Sequence, residues 1–244
     1  MKLSFVILSW NRYKFLEKCL NALVNSIEFP DDVEIVVMDN GSTDATRNVL
    51  KKYEDNNLFR IILRDKNYGL DAYKKLFSQA KGDLIVVVDD DVLELPEKLD
   101  SLFIDYMQTF PHYGFIALNV IQNEFTNGAK PGPEYYTEET INGKTIEKGP
   151  TGGWCACFRR KDLDKIWLRL RFTKMNMKTS EDSLLSSLFK KKLNLESGII
   201  KDKICFHATG AHYAKQYDHL DREIEKYSKS GLQDFVDHYK KYVD

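Results

Sequence analysis

The sequence of 244 residues lacks an excess of charge of either sign. Its 36 basic and 37 acidic residues give a formal net charge of -1. A nucleic-acid-binding surface or an acidic tail would shift this balance. We therefore expect no nucleic-acid partner, and any charged ligand must be bound by a local group of side chains.

Cysteine is also scarce. The four cysteines are Cys19, Cys155, Cys157 and Cys205. No two of them have the two-residue gap of a zinc knuckle, and four in a chain of this length do not make a disulfide framework. We expect reduced thiols that pack in the interior.

Long apolar segments are absent as well. The longest aliphatic run is Leu84 to Val88, whereas a helix that crosses a bilayer needs about 20 apolar residues. The N-terminus lacks the basic stretch and apolar segment of a secretory signal. These features predict a cytoplasmic protein without a transmembrane segment, in contact with a membrane surface at most.

The apolar residues that are present are enough for a continuous core. Residues 1–92 alternate between short apolar runs and helical patterns, which is typical of a parallel sheet. The predicted strands are Leu3–Leu8, Val33–Met38, Phe59–Leu63 and Leu84–Val88. The predicted helices are Arg12–Ile27, a helix that buries Val49, Leu50 and Tyr53, and Leu70–Ala80.

The pattern changes after residue 92. We predict a helix over Pro96–Phe110, a strand over Phe115–Val120, and then a loop over residues 121–150 that is rich in Gly, Pro, Asn and Thr. The remaining predictions are an apolar run at Trp154–Phe158, a short helix after Ser180, a strand at Ile199–Phe206 and a helical tail broken near Gly231.

Three aspartates, Asp89 to Asp91, follow the buried strand Leu84–Val88 directly. Ligands of open α/β sheets bind at the carboxyl ends of strands. One carboxylate of such a group can bind a divalent cation that bridges phosphate oxygens, while its neighbour accepts hydrogen bonds from a ribose. The alternative is a solvated acidic turn. An EF-hand is disfavoured because Pro96 falls within its length.

A second polar segment, Asp39 to Asp44, follows the strand Val33–Met38. Asp39 or Asn40 can contact a base or a ribose. Ser42, Thr43 and Asp44 offer side-chain oxygens to the first N–H groups of the next helix, and this capping role is sufficient to explain Ser42 and Thr43.

Glu181, Asp182 and His207 are further candidates. Acids at a helix start are favoured by the helix dipole, so Asp182 is either a structural residue or a general base. His207 ends a predicted strand, where an imidazole either completes a metal site or is a satisfied structural group.

In series, these segments resemble the family 2 glycosyltransferases of the GT-A fold, in the nucleotide-diphospho-sugar transferase superfamily. The resemblance spans roughly residues 1–210 and rests on SFVILSWN (Ser4–Asn11), VVMDNGSTD (Val36–Asp44), GDLIVVVDDDV (Gly82–Val92) and the Glu181–Asp182 pair. It implies an α/β fold with a mainly parallel Rossmann-like sheet flanked by helices. Residues 1–215 would be the GT-A domain, with a nucleotide-binding half (1–92) and an acceptor-side half (93–215), and residues 216–244 a helical extension.

The resemblance also implies roles for individual residues. Asp91 with His207 would hold Mn or Mg, and Asp182 would be the general base. The residues implied to bind the nucleotide-sugar are Ser9, Trp10, Asn11, Asp39, Asn40, Arg64, Gly69, Asp89 and Asp90. Many relatives have aspartate in the place of Asn40, so UDP-, dTDP- and GDP-sugars all remain open as donors.

Two other segments have alternatives. In Arg64–Lys74, Gly69 would allow close approach to the diphosphate, and Arg64 or Lys74 would supply positive charge, unless both are ordinary surface residues. Gly153, Trp154 and Glu181 would lie on the acceptor side, where the indole either stacks on a sugar or packs in the core.

The function that the resemblance implies is inverting, metal-dependent transfer of a sugar to a hydroxyl of a glycan or lipid-linked acceptor, in surface polysaccharide or glycan synthesis. One alternative is a phosphotransferase or phosphatase with Asp89 as nucleophile, although this leaves VVMDNGSTD without a role. Another is a module that binds a nucleotide or glycan without turnover.

Overall fold

The computed structural model describes residues 2–126 and 130–243, so part of the predicted loop 121–150, residues 127–129, lies outside the described residues. The strands are β1 Leu3–Ser9, β2 Val33–Asp39, β3 Phe59–Leu63, β4 Leu84–Val88, β5 Val92–Glu94, β6 Tyr113–Val120, β7 Thr137–Ile141, β8 Lys144–Lys148, β9 Cys155–Arg159 and β10 Glu196–His207. The helices are α1 Tyr13–Ser26, α2 Thr46–Lys51, α3 Ala72–Gln79, α4 Leu99–Thr109, α5 Arg160–Phe172, α6 Glu181–Leu193, α7 Ala211–Gln216, α8 Leu220–Lys229 and α9 Gln233–Lys240.

The strands form one sheet in the order β3-β2-β1-β4-β9-β6-β10-β8-β7, and β5 pairs with β10. β3, β2, β1 and β4 are mutually parallel, and β9 runs antiparallel between β4 and β6. All five residues of β4 are buried, as expected of a strand with both faces covered. This mixed α/β architecture confirms the predicted fold class.

The parallel arrangement positions the candidate site. Ser9, the last residue of β1, is in register with Asp39, the last residue of β2. β4 lies on the other side of β1 and leads directly into Asp89. The side chains that sequence analysis selected after three separate strands therefore meet at one edge of the sheet.

The second half of the chain differs from the prediction in several places. The supposed loop 121–150 contains the hairpin β7–β8, whose turn is Asn142–Gly143 with φ values of 51° and 76°. Asn-Gly is the preferred pair for such a turn, since both central residues need positive φ. The prediction also omitted β5 and α5, and the "short" helix after Ser180 has 13 residues.

The helical tail and its break are confirmed. Gly231, with φ of 68°, separates α8 from α9. The tail buries an apolar cluster that includes Tyr227, Val236 and Tyr239 and also Ala211 of α7. The boundary at residue 216 stays a prediction, although this packing unit already begins in α7. Among the described residues, every helix is too short or too polar to cross a membrane.

Candidate active site

A tight turn brings Asp91 and His207 together. The backbone N–H of Val92 donates to the Asp89 carbonyl (3.1 Å), which reverses the chain after β4. β5 then pairs antiparallel with the end of β10, so that His207 lies opposite Val92. The N–H of Ala208 donates to the Asp91 carbonyl (2.9 Å) and fixes the two segments to each other.

Asp89, Asp91 and His207 form a possible metal site, with one ligand atom of each lying within 4.8 Å of the others. His207 Nε2 is 3.0 Å from Asp91 Oδ1 and 3.6 Å from Asp89 Oδ2. Asp91 Oδ1 is buried and lacks a well-directed hydrogen-bond donor among the described residues. A carboxylate oxygen of this kind facing an imidazole and a second carboxylate fits a divalent cation.

The protonation of this cluster is set by burial and by its charged neighbours. Burial raises the pKa of Asp89 to about 7, and the nearby Asp91 and Asp90 add to this shift. Burial also raises the pKa of Asp90. For Asp91, burial is outweighed by Arg12 and His207, which hold its pKa well below the ordinary value. Two acids as close as Asp89 and Asp91 favour a cation as their common partner.

Arg12 is a central residue of the site that the sequence analysis missed. Its Nη1 donates to Asp90 Oδ1 (2.6 Å) and its Nη2 to Asp91 Oδ2 (2.5 Å). Ser9 Oγ donates to the other oxygen of Asp90 (2.7 Å). Both oxygens of Asp90 thus have protein partners, whereas Asp91 keeps Oδ1 for the cluster with His207. The role of Asp90 in donor binding stays a prediction.

Asp182 lies in the first turn of α6, facing the acidic turn. Its Oδ2 accepts a hydrogen bond from the N–H of Gly153 (3.1 Å), and its Oδ1 accepts from the N–H of Ser183 (2.6 Å) and from the Ser180 hydroxyl. Glu181 is buried, and its pKa is raised well above the ordinary value by burial and by Asp182 and Asp89. Glu181 is therefore harder to ionise than an ordinary glutamate.

These groups line one cavity of about 310 Å³, and a second cavity of about 460 Å³ adjoins it. The acidic turn, Asp182 and His207 face the first cavity. Ser9, Trp10, Asn40 and Gly69, all predicted to contact the donor, line the second. Arg222 and Lys226 of α8 line both. The predicted metal and base residues therefore share one cleft with six of the nine predicted nucleotide residues, whereas Asn11, Asp39 and Arg64 line neither cavity.

The segment after β2 is organised by internal hydrogen bonds. Asn11, with φ of 52°, accepts from the N–H of Thr43 (2.8 Å), and its own N–H donates to Ser42 Oγ (2.8 Å). The prediction that Ser42 and Thr43 cap the next helix is wrong, because Ser42 Oγ bonds to Asn11. Asp44 Oδ1 instead accepts from the first helical N–H, that of Thr46 (2.9 Å).

Asp39 and Asn40 are buried. Asp39 accepts hydrogen bonds from Arg47 Nε (2.8 Å) and the N–H of Ser42 (2.9 Å). Asn40 Nδ2 donates to the carbonyl of Gly69 (3.1 Å), a residue with φ of 59°. These hydrogen bonds hold the loops that follow β2 and β3. A role in base recognition stays a prediction for both residues.

The predicted cationic residues Arg64 and Lys74 lie outside both cavities. The guanidinium of Arg64 lies 4.1 Å from the ring centroid of Tyr68, and Lys74 pairs with Asp71 at 2.6 Å. Both residues are half-buried, and a role of either in diphosphate binding stays a prediction. Arg222 and Lys226 are the Arg and Lys residues that line both cavities, while Arg12 lines the first and Lys174 and Lys229 line the second.

Trp154 is 4% exposed. Its indole N–H donates to the Leu118 carbonyl (2.9 Å), and its ring stacks on that of His207 with 6.4 Å between centroids. This placement favours the core-packing alternative, with the indole supporting the His207 ring. Gly153 lines the first cavity, and a Cβ there would lie 3.0 Å from Glu181 Oε1.

Comparisons with known proteins agree with this fold. The sequence model described as "Glycosyl transferase family 2" matches residues 4–167, and the chain therefore belongs to glycosyl transferase family 2. It is 33% identical over 102 residues to validoxylamine A glucosyltransferase of Streptomyces hygroscopicus subsp. limoneus, covering 41% of this chain and 22% of that protein. It is 34% identical over 94 residues to the abequosyltransferase RfbV of Salmonella typhimurium, and this match covers 37% of this chain and 28% of that protein. The matched part is thus a minor fraction of these relatives.

Solved structures show the same GT-A fold. A mannosyltransferase of Pyrobaculum calidifontis, in complex with GDP-Man and Mn2+, matches with a TM-score of 0.65 and 15% identity, covering 99% of this chain and 73% of that one. TarS of S. aureus in complex with UDP-GlcNAc matches with a TM-score of 0.66 and 16% identity, and this match covers 99% of this chain and 72% of that one. At this identity the likeness establishes the fold alone.

Proposed function

We propose that this chain binds a nucleotide-diphospho-sugar with a divalent cation and transfers the sugar, with inversion, to an acceptor hydroxyl. The observation that carries the proposal is the buried Oδ1 of Asp91, which lacks a well-directed hydrogen-bond donor among the described residues and faces His207 and Asp89 in the cavity that Asp182 also lines. A metal site and a candidate base in one cleft suit this reaction. The phosphotransferase alternative, with Asp89 as nucleophile, leaves the segment VVMDNGSTD without a role.

The residues that would hold the cation are Asp89, Asp91 and His207. Two carboxylates and one imidazole suit Mn, whereas Mg prefers an all-oxygen set, so Mn is the better candidate of the two. The cation, when bound, supplies positive charge that stabilises a departing diphosphate. The Mn2+ in the structurally similar mannosyltransferase supports this assignment.

Arg222 and Lys226 would add positive charge for the diphosphate from the opposite wall. Both are on α8 and line both cavities. Arg222 Nε also donates to the carbonyl of Trp10 (3.1 Å), and its guanidinium lies 5.0 Å from the centroid of the Trp10 ring. This contact ties the guanidinium to the predicted nucleotide segment. UDP-, dTDP- and GDP-sugars remain the candidate donors.

Asp182 would accept the proton of the acceptor hydroxyl while that oxygen attacks the anomeric carbon. Its orientation is fixed from both sides, by the N–H of Gly153 and by that of Ser183. Glu181, whose pKa is raised by burial and by the neighbouring acids, would add less negative charge around the base than an ordinary glutamate. A single displacement of this kind inverts the configuration at the anomeric carbon. We propose a glycan or lipid-linked acceptor, in surface glycan synthesis.

The experiment that tests the base is donor binding and transfer in Asp182→Asn, measured with UDP-, dTDP- and GDP-sugars and Mn. We expect donor binding within about threefold of the parent protein, with transfer reduced at least about a hundredfold. Asp55→Asn, at an exposed position outside the cleft, is the control and should behave as the parent. Equal loss of binding and transfer in Asp182→Asn would show that its role is structural.

A further inference from the structure

The outer face of α5 exposes two large apolar side chains. Phe172 is 78% exposed and Leu168 is 69% exposed, the two highest values among large hydrophobic residues in the described ranges. They are four residues apart and therefore neighbours on one side of the helix. The opposite side buries Leu163, Ile166 and Leu170. Single exposed apolar residues are ordinary, but an adjacent pair at this exposure indicates a binding surface.

The surroundings of this pair are strongly basic. Residues 165–178 contain five basic residues and no acidic residue, in a chain whose formal net charge is -1. Lys165 pairs with Asp162 at 3.0 Å. The other four are exposed, and within the described part of the chain none has a carboxylate closer than 4.0 Å: Arg169, Arg171, Lys174 and Lys178. The exposed acid Asp164 lies one turn before Leu168 and is the exception on this side of the helix.

This surface adjoins the mouth of the candidate active site. α5 begins at the far end of the sheet, where Arg160 Nε donates to the carbonyl of Gly82 (2.8 Å) just before β4. It ends near the catalytic edge, where the N–H of Met175 donates to Asp71 Oδ1 (3.1 Å). The segment after the helix, including Lys174 and Met177, lines the second cavity.

We propose that this surface, which we call the α5 face (Leu168, Arg169, Arg171, Phe172, Lys174 and Lys178), docks on an anionic lipid membrane. Apolar side chains enter the interfacial region of a bilayer, while adjacent Lys and Arg are attracted to anionic head groups. A second copy of the chain is a poorer partner, because two α5 faces would oppose like charges. Docking would place the cleft beside a membrane-bound acceptor, and only this last step rests on the proposed function.

The test is cosedimentation of the protein with vesicles, without Mn or donor. Vesicles of phosphatidylcholine and phosphatidylglycerol in equal parts should bind the protein, pure phosphatidylcholine should bind it far less, and added salt should weaken the binding. Leu168→Ser with Phe172→Ser should reduce partitioning at least about tenfold. Arg169→Gln and Arg171→Gln should each reduce it about fivefold.

Phe29→Ser is the matched control, since Phe29 is 55% exposed in the loop between α1 and β2. It should partition as the parent does, and all variants should keep the parent melting temperature because the changed side chains are exposed. The proposal is overturned if anionic vesicles do not bind the protein, or if the Leu168→Ser/Phe172→Ser variant binds them as the parent does. Self-association that this variant abolishes, without vesicle binding, would assign the face to a second copy. If the protein binds anionic vesicles but does not transfer a sugar, the membrane-docking proposal stands and only the proposed function fails.

Discussion

Nε2 of His207 lies 3.0 Å from Oδ1 of Asp91, although His207 ends β10 and Asp91 lies in the turn between β4 and β5. The other oxygen of Asp91 is held by Arg12. One carboxylate thus joins a structural ion pair to a candidate metal site. The arrangement explains how Asp91 can stay ionised inside the protein and still present an oxygen to a cation.

Arg12 is expected to stabilise the acidic turn as a positioning residue. Its side chain is 13% exposed and lies between two carboxylates with less than a tenth of their surface exposed. Removing one partner of a buried ion pair costs about 3 to 5 kcal/mol. Arg12→Met should therefore lower the free energy of unfolding by this amount in urea titrations without metal.

Two further observations separate this role of Arg12 from simple packing. Mn should restore part of the lost stability of Arg12→Met, because the cation replaces some of the missing positive charge. Arg12→Lys should be intermediate, because an ammonium does not span two carboxylates as a guanidinium does. If Arg12→Met is as stable as the parent, the ion pairs do not hold the turn.

Mn affinity is expected to rise with pH through about 7. The pKa of Asp89 is raised to about 7. Burial lowers the pKa of His207, but Asp91 and Asp89 outweigh burial and raise it above the ordinary 6.5. Both groups must lose their protons to bind a cation, so binding should release protons. Calorimetry in buffers of different ionisation enthalpy measures this proton release. A Mn affinity that does not change between pH 6 and 8 would contradict the expected rise.

The same pKa shifts predict how the stability of the metal-free protein changes with pH. The raised pKa of His207 means that its ion pair with Asp91 contributes stability below pH 6.5, and that this contribution is lost as the pH rises through the folded-state pKa. Ionisation of Asp89 costs stability over the interval up to about pH 7. Metal-free protein should therefore lose stability as the pH rises through neutrality, and Mn should reverse the loss. Melting curves with and without Mn check both.

Arg222 is expected to contribute to diphosphate binding. Arg222→Gln should weaken binding of UDP or GDP about tenfold, which is the effect of losing one charge-assisted hydrogen bond, and leave the nucleosides uridine and guanosine unaffected. Arg64→Gln is the control, because Arg64 lies outside both cavities. If Arg64→Gln weakens nucleotide binding more than Arg222→Gln does, the segment after β3, and not α8, supplies the charge that binds the diphosphate.

Much of the fold could be predicted because buried parallel strands are uniformly apolar. Leu84–Val88 shows this, and its position identified the acidic turn that follows. Arg12 could not be found in this way, because its partners Asp90 and Asp91 are far away in the sequence and only the sheet brings them together. The hairpin β7–β8 left a readable signal in Asn142–Gly143, but the polar strands beside it resemble a loop.

The helical tail shows a different limit of prediction from sequence. Its amphipathic pattern predicted helices packed on the body, and the structure confirms them. The same pattern does not reveal which polar residues face a cleft. Arg222, Glu223 and Lys226 enter the site because α8 crosses its mouth, and that depends on packing between distant segments. Burial of Trp154 was likewise decided by the fold.

The most direct test of the metal site is the melting temperature of the parent, Asp91→Asn and Asp55→Asn with UDP, dTDP or GDP, each with and without Mn. A ligand at 100 times its Kd stabilises the folded state by about 2.7 kcal/mol. We expect a Mn-dependent increase with one nucleotide in the parent and in Asp55→Asn, and none in Asp91→Asn. An equal Mn-dependent increase in Asp91→Asn would contradict the assignment of the metal to Asp91.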